Sequence, residues 1–351
     1  ALLDKGVKRF YAPMVGGFDG LDITEREPLG NHLVSGTSTK ENNYVFYTLE
    51  KALQAVSDPE VVPANLLLAP GVRNESLTNK IVSEAEQRND LLAIIDLVGD
   101  LTPAAERQNV VPSNSERGSV ATAVDGLNAR PNLDSSYGCC FYPAIQVVDR
   151  DTNRSLYVPS SVAGLGAMAQ SQRAAELWFA PAGFNRGGLG NLGGRLGPTA
   201  VQARQRLDSS QRDDLYEANI NPIATFPNEG LVIFGQKTLQ RANSALNRIN
   251  VRRLMIFLRH QISEIAKLSL FEQNNSSTRA NLRGQINNVL SDVQSRFGVT
   301  EYAIILDETN NTADDIDQNR LNVSIFVKPT RAIEFIAIDF IITRSGVELV
   351  Q

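Results

Sequence analysis

Two periods of apolar positions take turns along the first half of the chain. Val45, Leu49, Leu53 and Val56 recur at helical spacing, and Asn42 or Asn43 can cap the start of that helix. A short apolar run at 65–70 is closed by Gly71, and Leu77, Ile81 and Ala85 then return to the helical period before a second apolar run at 91–96. Strand, helix and strand within about thirty residues predict a βαβ unit. Such crossovers are right-handed and give parallel strands, so this half is expected to hold a sheet covered by helices. Residues 99–134 carry Pro, Asn, Ser and Arg without a period, which predicts a long excursion from the sheet. Strands return at 137–148 and 156–159, and the small-residue-rich stretch 160–176 reads as a helix despite Gly164 and Gly166.

Pro181, Gly183, Gly187 and Gly188 interrupt regular structure and place a domain junction, with 1–180 as one unit and 181–351 as the next. Beyond it, Ser210 and Asp213 have the spacing of a capping box, predicting a helix that starts at Ser210. Residues 231–234 read as a short buried strand. Val251, Met255, Leu258, Ile262 and Ile265 form the stripe of a long amphipathic helix. A second follows, with Leu282, Ile286, Val289, Val293 and Phe297 inward, Ser276 or Ser277 as cap and Gly298 as stop. Strands are expected at 301–306, 321–327 and 333–343, the last apolar on both faces and therefore central. The fold class is α/β (α+β): a mixed or parallel sheet flanked by helices, then a second sheet with two long amphipathic helices.

Composition narrows the function. With 42% hydrophobic and 21% charged residues in 351, the chain can bury a large core. A net charge of -5, spread without long runs of one sign, argues against direct nucleic-acid binding. No apolar stretch approaches the roughly twenty residues of a membrane span, so no membrane insertion is expected. The N-terminus has no secretory signal pattern, and its start at Ala1 with a strand-like segment under way leads to the expectation that upstream sequence is missing. Cys139 and Cys140 are adjacent, which makes a bond between them strained; they read as reduced core thiols of a protein made in a bacterial cytoplasm.

The motifs that could carry chemistry are weak. Gly188, Gly190 and Gly193 match GxGxxG formally, but no apolar strand precedes them and Gly194 and Pro198 follow where a helix is needed. His32 and His260 lack a second ligand at metal spacing, and neither GxSxG nor a phosphate-binding GxxxxGK[ST] occurs. The acidic stretch 307–317 has Thr312 where a calcium loop needs Gly, and reads as a solvated hairpin loop. No catalytic residue, metal or cofactor is assigned. The competing reading, a stand-alone α/β enzyme or nucleotide-binding protein, would use a pocket at the strand ends of the first half.

Charge patterning offers a candidate contact surface. Arg248, Arg252, Arg259 and Lys267 fall near one face of the first long helix, which most simply is its solvated side. The sharper expectation is that this face meets Asp314, Asp315 and Asp317 on another copy, where complementary charge would fix register. Reversal of Arg252 and Arg259 would then block assembly without unfolding the monomer.

The order of several segments resembles that of contractile tail sheath proteins: GGFDG at 16–20, ANLLLAPG at 64–71, LDSSYGCCFYPAIQVVD at 133–149, WFAPAGFNRG at 178–187, INPIATFPNEGLVIFGQKTL at 220–239, and INVRRL at 249–254 followed by FEQNNSSTR at 271–279. The resemblance implies a non-enzymatic subunit packed in hexameric rings around an inner tail tube, with baseplate and tail terminator proteins as further partners. It implies a phage virion component assembled in the host cytoplasm that contracts by rearranging subunit interfaces, driving the tube through the target envelope. It also implies terminal arms that add strands to neighbouring subunits, and Val347, Glu348, Leu349 and Val350 are the candidate arm.

Overall fold

A computed structural model describes residues 29–34, 36–107, 111–149, 152–190 and 199–334. Its centre is a five-stranded sheet in the order β1 (Leu66–Leu68), β2 (Leu92–Ile95), β3 (Gly138–Tyr142), β7 (Asn221–Phe226) and β8 (Gly230–Ile233). The first four strands are parallel, and β8 returns antiparallel to β7 through a hairpin. The expected βαβ unit is β1, α2 (Glu75–Arg88) and β2. Asn74 caps α2, and Leu77, Ile81 and Ala85 are buried as their spacing required. Strands from both sides of position 181 lie in this one sheet. The glycine-rich stretch after Pro181 also starts against it: Leu189 N donates to Leu231 O and Ile233 N to Gly187 O, each at 2.8 Å. Gly193 of the GxGxxG match lies outside the described residues.

Successive strand residues face opposite sides, and the adjacent cysteines show it. Cys140 joins a core formed with α2, α4 (Val120–Asn128) and α6 (Ser209–Glu217), whereas Cys139 joins a second core with α5 (Ser160–Ala174) and the start of α7 (Ile249–Lys267). Both are free thiols. Burial pushes the Cys140 thiol up to about 12, so it stays protonated. The excursion at 99–134 supplies α3 (Asn114–Arg117) and α4, and Val120, Ala123 and Leu127 of α4 seal the first core. A small antiparallel sheet, ordered β5 (Ser155–Val158), β4 (Ile145–Val148), β6 (Thr199–Ala203), packs Ile145, Val147 and Ala200 onto the second.

A third core joins α7, α8 (Ser276–Ser295) and the antiparallel hairpin β9 (Val299–Ile305) with β10 (Ser324–Pro329). α7 links it to the rest: Ile249 and Ile256 enter the second core, Leu254 and Leu258 the third. Between β9 and β10, the acidic loop carries α9 (Ala313–Asp317), capped by Thr312.

Several details differ from the sequence reading. α6 starts earlier than Ser210, with Asp208 as N-cap in a reciprocal box with Gln211, because Leu207 is already drawn into the first core. α8 is capped by Asn275, and it ends with Phe297, not Gly298, in the left-handed region at φ 61°. Phe297 N bonds Gln294 O and Gly298 N bonds Val293 O, the paired bonds of a Schellman motif. Gly298 is needed for space: a Cβ there would lie 2.5 Å from Val293 Cγ1. Phe297 consequently points to solvent and Leu290 takes the inward place. Residues 333 and 334 are not in a strand, and the rest of the expected strand 333–343 lies outside the described residues.

Candidate subunit interface

The basic face of α7 divides into inward and outward members. Arg248 pairs with Glu334, Nε to Oε1 at 2.6 Å and Nη2 to Oε2 at 2.8 Å. Arg252 is buried, its guanidinium stacked 3.9 Å from the Tyr137 ring centroid and bonded to Ser136 Oγ. Burial lowers its pKa. It is therefore not on a solvated face. Arg253 beside it is buried too, bonded only to the neutral acceptors Met168 O and Gln172 Oε1, and burial brings its pKa down to about 10. The reason is that the first turns of α7 run between two cores and are covered all round, which a one-sided stripe does not reveal. Reversal of Arg252 would test folding and not contact. Arg259 and Lys267, further along, are exposed, and Lys267 pairs with Glu264 on its own helix at 2.9 Å.

On the acidic loop, Asp314 and Asp317 are exposed, while Asp315 accepts from Thr312 N and Oγ and so serves the cap of α9. Those hydrogen bonds hold its carboxyl below the usual range. Val347, Glu348, Leu349 and Val350 lie outside the described residues. Two features had no place in the sequence reading. The turn after α7 exposes Leu268, Leu270 and Phe271 together, and Phe184, Phe226 and Phe234 form an aromatic cluster with centroids 5.0–5.8 Å apart at the far edge of the main sheet. Runs of apolar residues at 268–271 carried the first signal; the second joins residues distant in sequence. Among the described residues, β9 and β10 pair only with each other, so each offers one unpaired edge.

The strand ends of the main sheet are occupied by structural bonds. Strand order follows sequence order without reversal, so among the described residues this sheet lacks the topological switch point where open α/β sheets form a ligand crevice. At that end Asp96 accepts from Gly71 N, Ser161 N and the hydroxyls of Ser160 and Ser161, and Asp100 Oδ1 accepts from Ala144 N and Leu101 N. They border a small cavity with Arg73, whose guanidinium is held 2.7 Å from Glu106. Among the described residues no cluster of His, Cys, Asp and Glu could hold a metal. No helix among them is long and apolar enough to cross a membrane.

Burial, opposed by those two backbone bonds, raises the Asp100 pKa from 3.8 to about 6. A raised carboxyl pKa means that the folded chain holds the proton more tightly than the unfolded one. Its stabilising contribution is full below the unfolded pKa and is lost as pH rises from about 4 to above 6. Asp100→Asn keeps the Oδ1 acceptor without the charge. It is expected to raise stability at pH 7.5 by about 1–3 kcal/mol and to flatten the pH dependence between 4 and 7, read by urea denaturation across that range.

An α/β body joined by a long helix to a small open-edged hairpin is the architecture of contractile sheath subunits. The structure superposes on the sheath complex of an extracellular contractile injection system in its contracted state with a TM-score of 0.64 and 20% identity, covering 82% of this chain and 74% of that one. The helical sheath of the anti-feeding prophage in its contracted state gives 0.59 at 20% identity, over 86% and 75%. The chain belongs to the tail sheath family. Residues 241–343 match the phage tail sheath C-terminal domain. The tail sheath protein of Vibrio phage KVP40 is 32% identical over 315 residues, covering 85% of this chain, and that of Enterobacteria phage T4 is 31% identical over 319, covering 86%. The chain spans 45% of the length of each of these two curated relatives.

Proposed function

We propose that this protein is a structural subunit of a contractile phage tail sheath, working through contacts with other copies of itself around an inner tube. The observation that carries this reading is its relationship to two phage tail sheath proteins along 85% and 86% of its length. The geometry fits it. Three contiguous cores make a body able to move as a unit, and the unpaired edges of β9 and β10 suit strands donated by neighbours, whose backbone bonds would hold while side-chain contacts slide. In this reading the subunits stack as hexameric rings in the virion, the tube, baseplate and terminator proteins are its other partners, and no catalysis is involved.

Negative-stain electron microscopy of the full-length gene product, beside a version stopped after Glu334, tests this reading. Hollow tubes or stacked rings are expected from the first and monomers from the second; persistent monomers from both would overturn it. For the charged contact, the exposed pair Arg259 and Lys267 facing Asp314 and Asp317 of another copy is the proposal. Arg259→Glu with Lys267→Glu is expected to lower tube yield at least tenfold while leaving the thermal melt within about 2 °C. Unchanged tubes would remove these residues from the interface.

A further inference from the structure

After Pro329 the chain crosses from the hairpin to the main body over a short exposed stretch. Arg331, Ala332 and Ile333 are all exposed, Ile333 at 82%, and none belongs to a core. Glu334 then turns inward. Its carboxylate accepts from four donors: Arg248 Nε at 2.6 Å and Nη2 at 2.8 Å, Tyr216 Oη at 2.8 Å and Gln236 Nε2 at 3.1 Å. These come from the residue before α7, from α6 and from the segment after β8, three parts of the main body.

The surroundings are arranged for that one anion. Gln236 turns its amide nitrogen to Glu334 and leaves its Oε1 buried without a partner. Lys237 lies over the Tyr216 ring, its Nζ 4.3 Å from the centroid and 2.6 Å from Tyr216 O. Burial raises the Tyr216 hydroxyl pKa, with the Glu334 charge adding to it, so that hydroxyl is a lasting donor. The Arg248 and Glu334 side chains are 25% and 17% exposed, so the fork-shaped contact is partly shielded from solvent.

We infer that Glu334 is a latch that fixes where the C-terminal segment leaves the body, so that residues from 335 onward set out toward a neighbouring copy from one face and in one direction. This rests on the sheath reading above, in which that segment reaches another subunit. A tether at the root of an arm limits the directions the arm can sample, which raises its effective concentration at a neighbour in the right place. Because residues 331–333 pack into no core, loss of the latch frees the arm's root without opening the body.

The experiment uses the full-length gene product with two readouts: trypsin cleavage at Arg331 in the monomer, and tube yield by electron microscopy. Glu334→Ala and Arg248→Glu are each expected to speed cleavage about tenfold or more and to lower tube yield by a similar factor. The exchanged pair, Arg248→Glu with Glu334→Arg, is expected to recover much of both. Wild-type cleavage in Glu334→Ala would overturn the latch. Faster cleavage with undiminished tubes would overturn its role in aiming the arm. If Glu334→Ala does not fold, Glu334→Gln reads the same two quantities with a smaller change, and no change there would likewise overturn it. Wild-type protein that makes no tubes would sink the sheath reading alone, since cleavage still reports the latch.

Discussion

Replacing Asp96 by alanine is expected to lower folding stability by about 3–5 kcal/mol, the range for removing one partner of a buried charged network. Asp96 is buried at the end of β2 and is the cap that α5 otherwise lacks: Pro159, at the N-cap position, supplies no side-chain acceptor, and Asp96 reaches across to Ser161 N at 2.9 Å. It also holds Gly71 N at 2.8 Å, so one carboxylate ties the loop after β1 to the start of α5. Alanine leaves two backbone donors and two fully buried hydroxyls without their acceptor. Burial outweighs these donors and raises the Asp96 pKa, so Asp96→Asn is expected to cost less, about 1–2 kcal/mol, chiefly because Gly71 N would face an amide nitrogen. Urea denaturation followed by circular dichroism gives both values. An alanine variant within about 0.5 kcal/mol of wild type would show that these bonds do not hold the sheet to the helix.

Gly118→Ala is expected to cost about 3 kcal/mol or more. Gly118 has φ 72° and ψ 161°, a region that glycine alone adopts readily. A Cβ there would lie 2.2 Å from Gly99 O and within 3.0 Å of the Asp100 backbone, and neither is the movable end of a side chain. Gly99 has φ 98°, and its own Cβ would meet the Thr122 backbone at 2.7 Å, so the two glycines let the entrance of the excursion close on itself. Ser119 N bonds Gly99 O and Thr102 N bonds Glu116 O across the same approach, and relief of the clash would break them. Gly36→Ala is the control, with nothing within 4 Å of the added methyl, and should shift the melt by less than about 2 °C. Equal melts for the two variants would mean that the excursion opens without cost.

The elements that were legible in sequence are those whose signal is local. α2 is an example: a cap, an apolar stripe and an acid in the first turn all act within fourteen residues, and the helix runs Glu75–Arg88 as these require. The adjacent cysteines read correctly as buried thiols because strand alternation is also local. The strand INPIATF at 221–226 showed only as part of a resemblance, since its partner β3 lies some eighty residues earlier and nothing near it announces the pairing. Arg252 was misplaced for a related reason. Helical period assigns a residue to a face, but only the packing of α7 between two cores decides that this face is covered. The acidic loop was read as a hairpin connection because its flanking strands alternate; the capping role of Asp315 lay in a Thr-x-x-Asp spacing that was passed over.

By itself, then, the sequence determined the α/β class, the positions of the long helices, the absence of a recognisable catalytic or phosphate-binding motif, and a segment order shared with tail sheath proteins. Each is set by short-range periodicity, by composition or by ordered blocks along one chain. Tertiary structure decided that strands from both halves share one sheet, that two of the four basic residues face inward, that two buried carboxylates serve as anchors, and that Glu334 meets Arg248 from 86 residues away. Those contacts depend on loop closure and burial over long separations, and such terms leave no mark on the local pattern of polar and apolar residues.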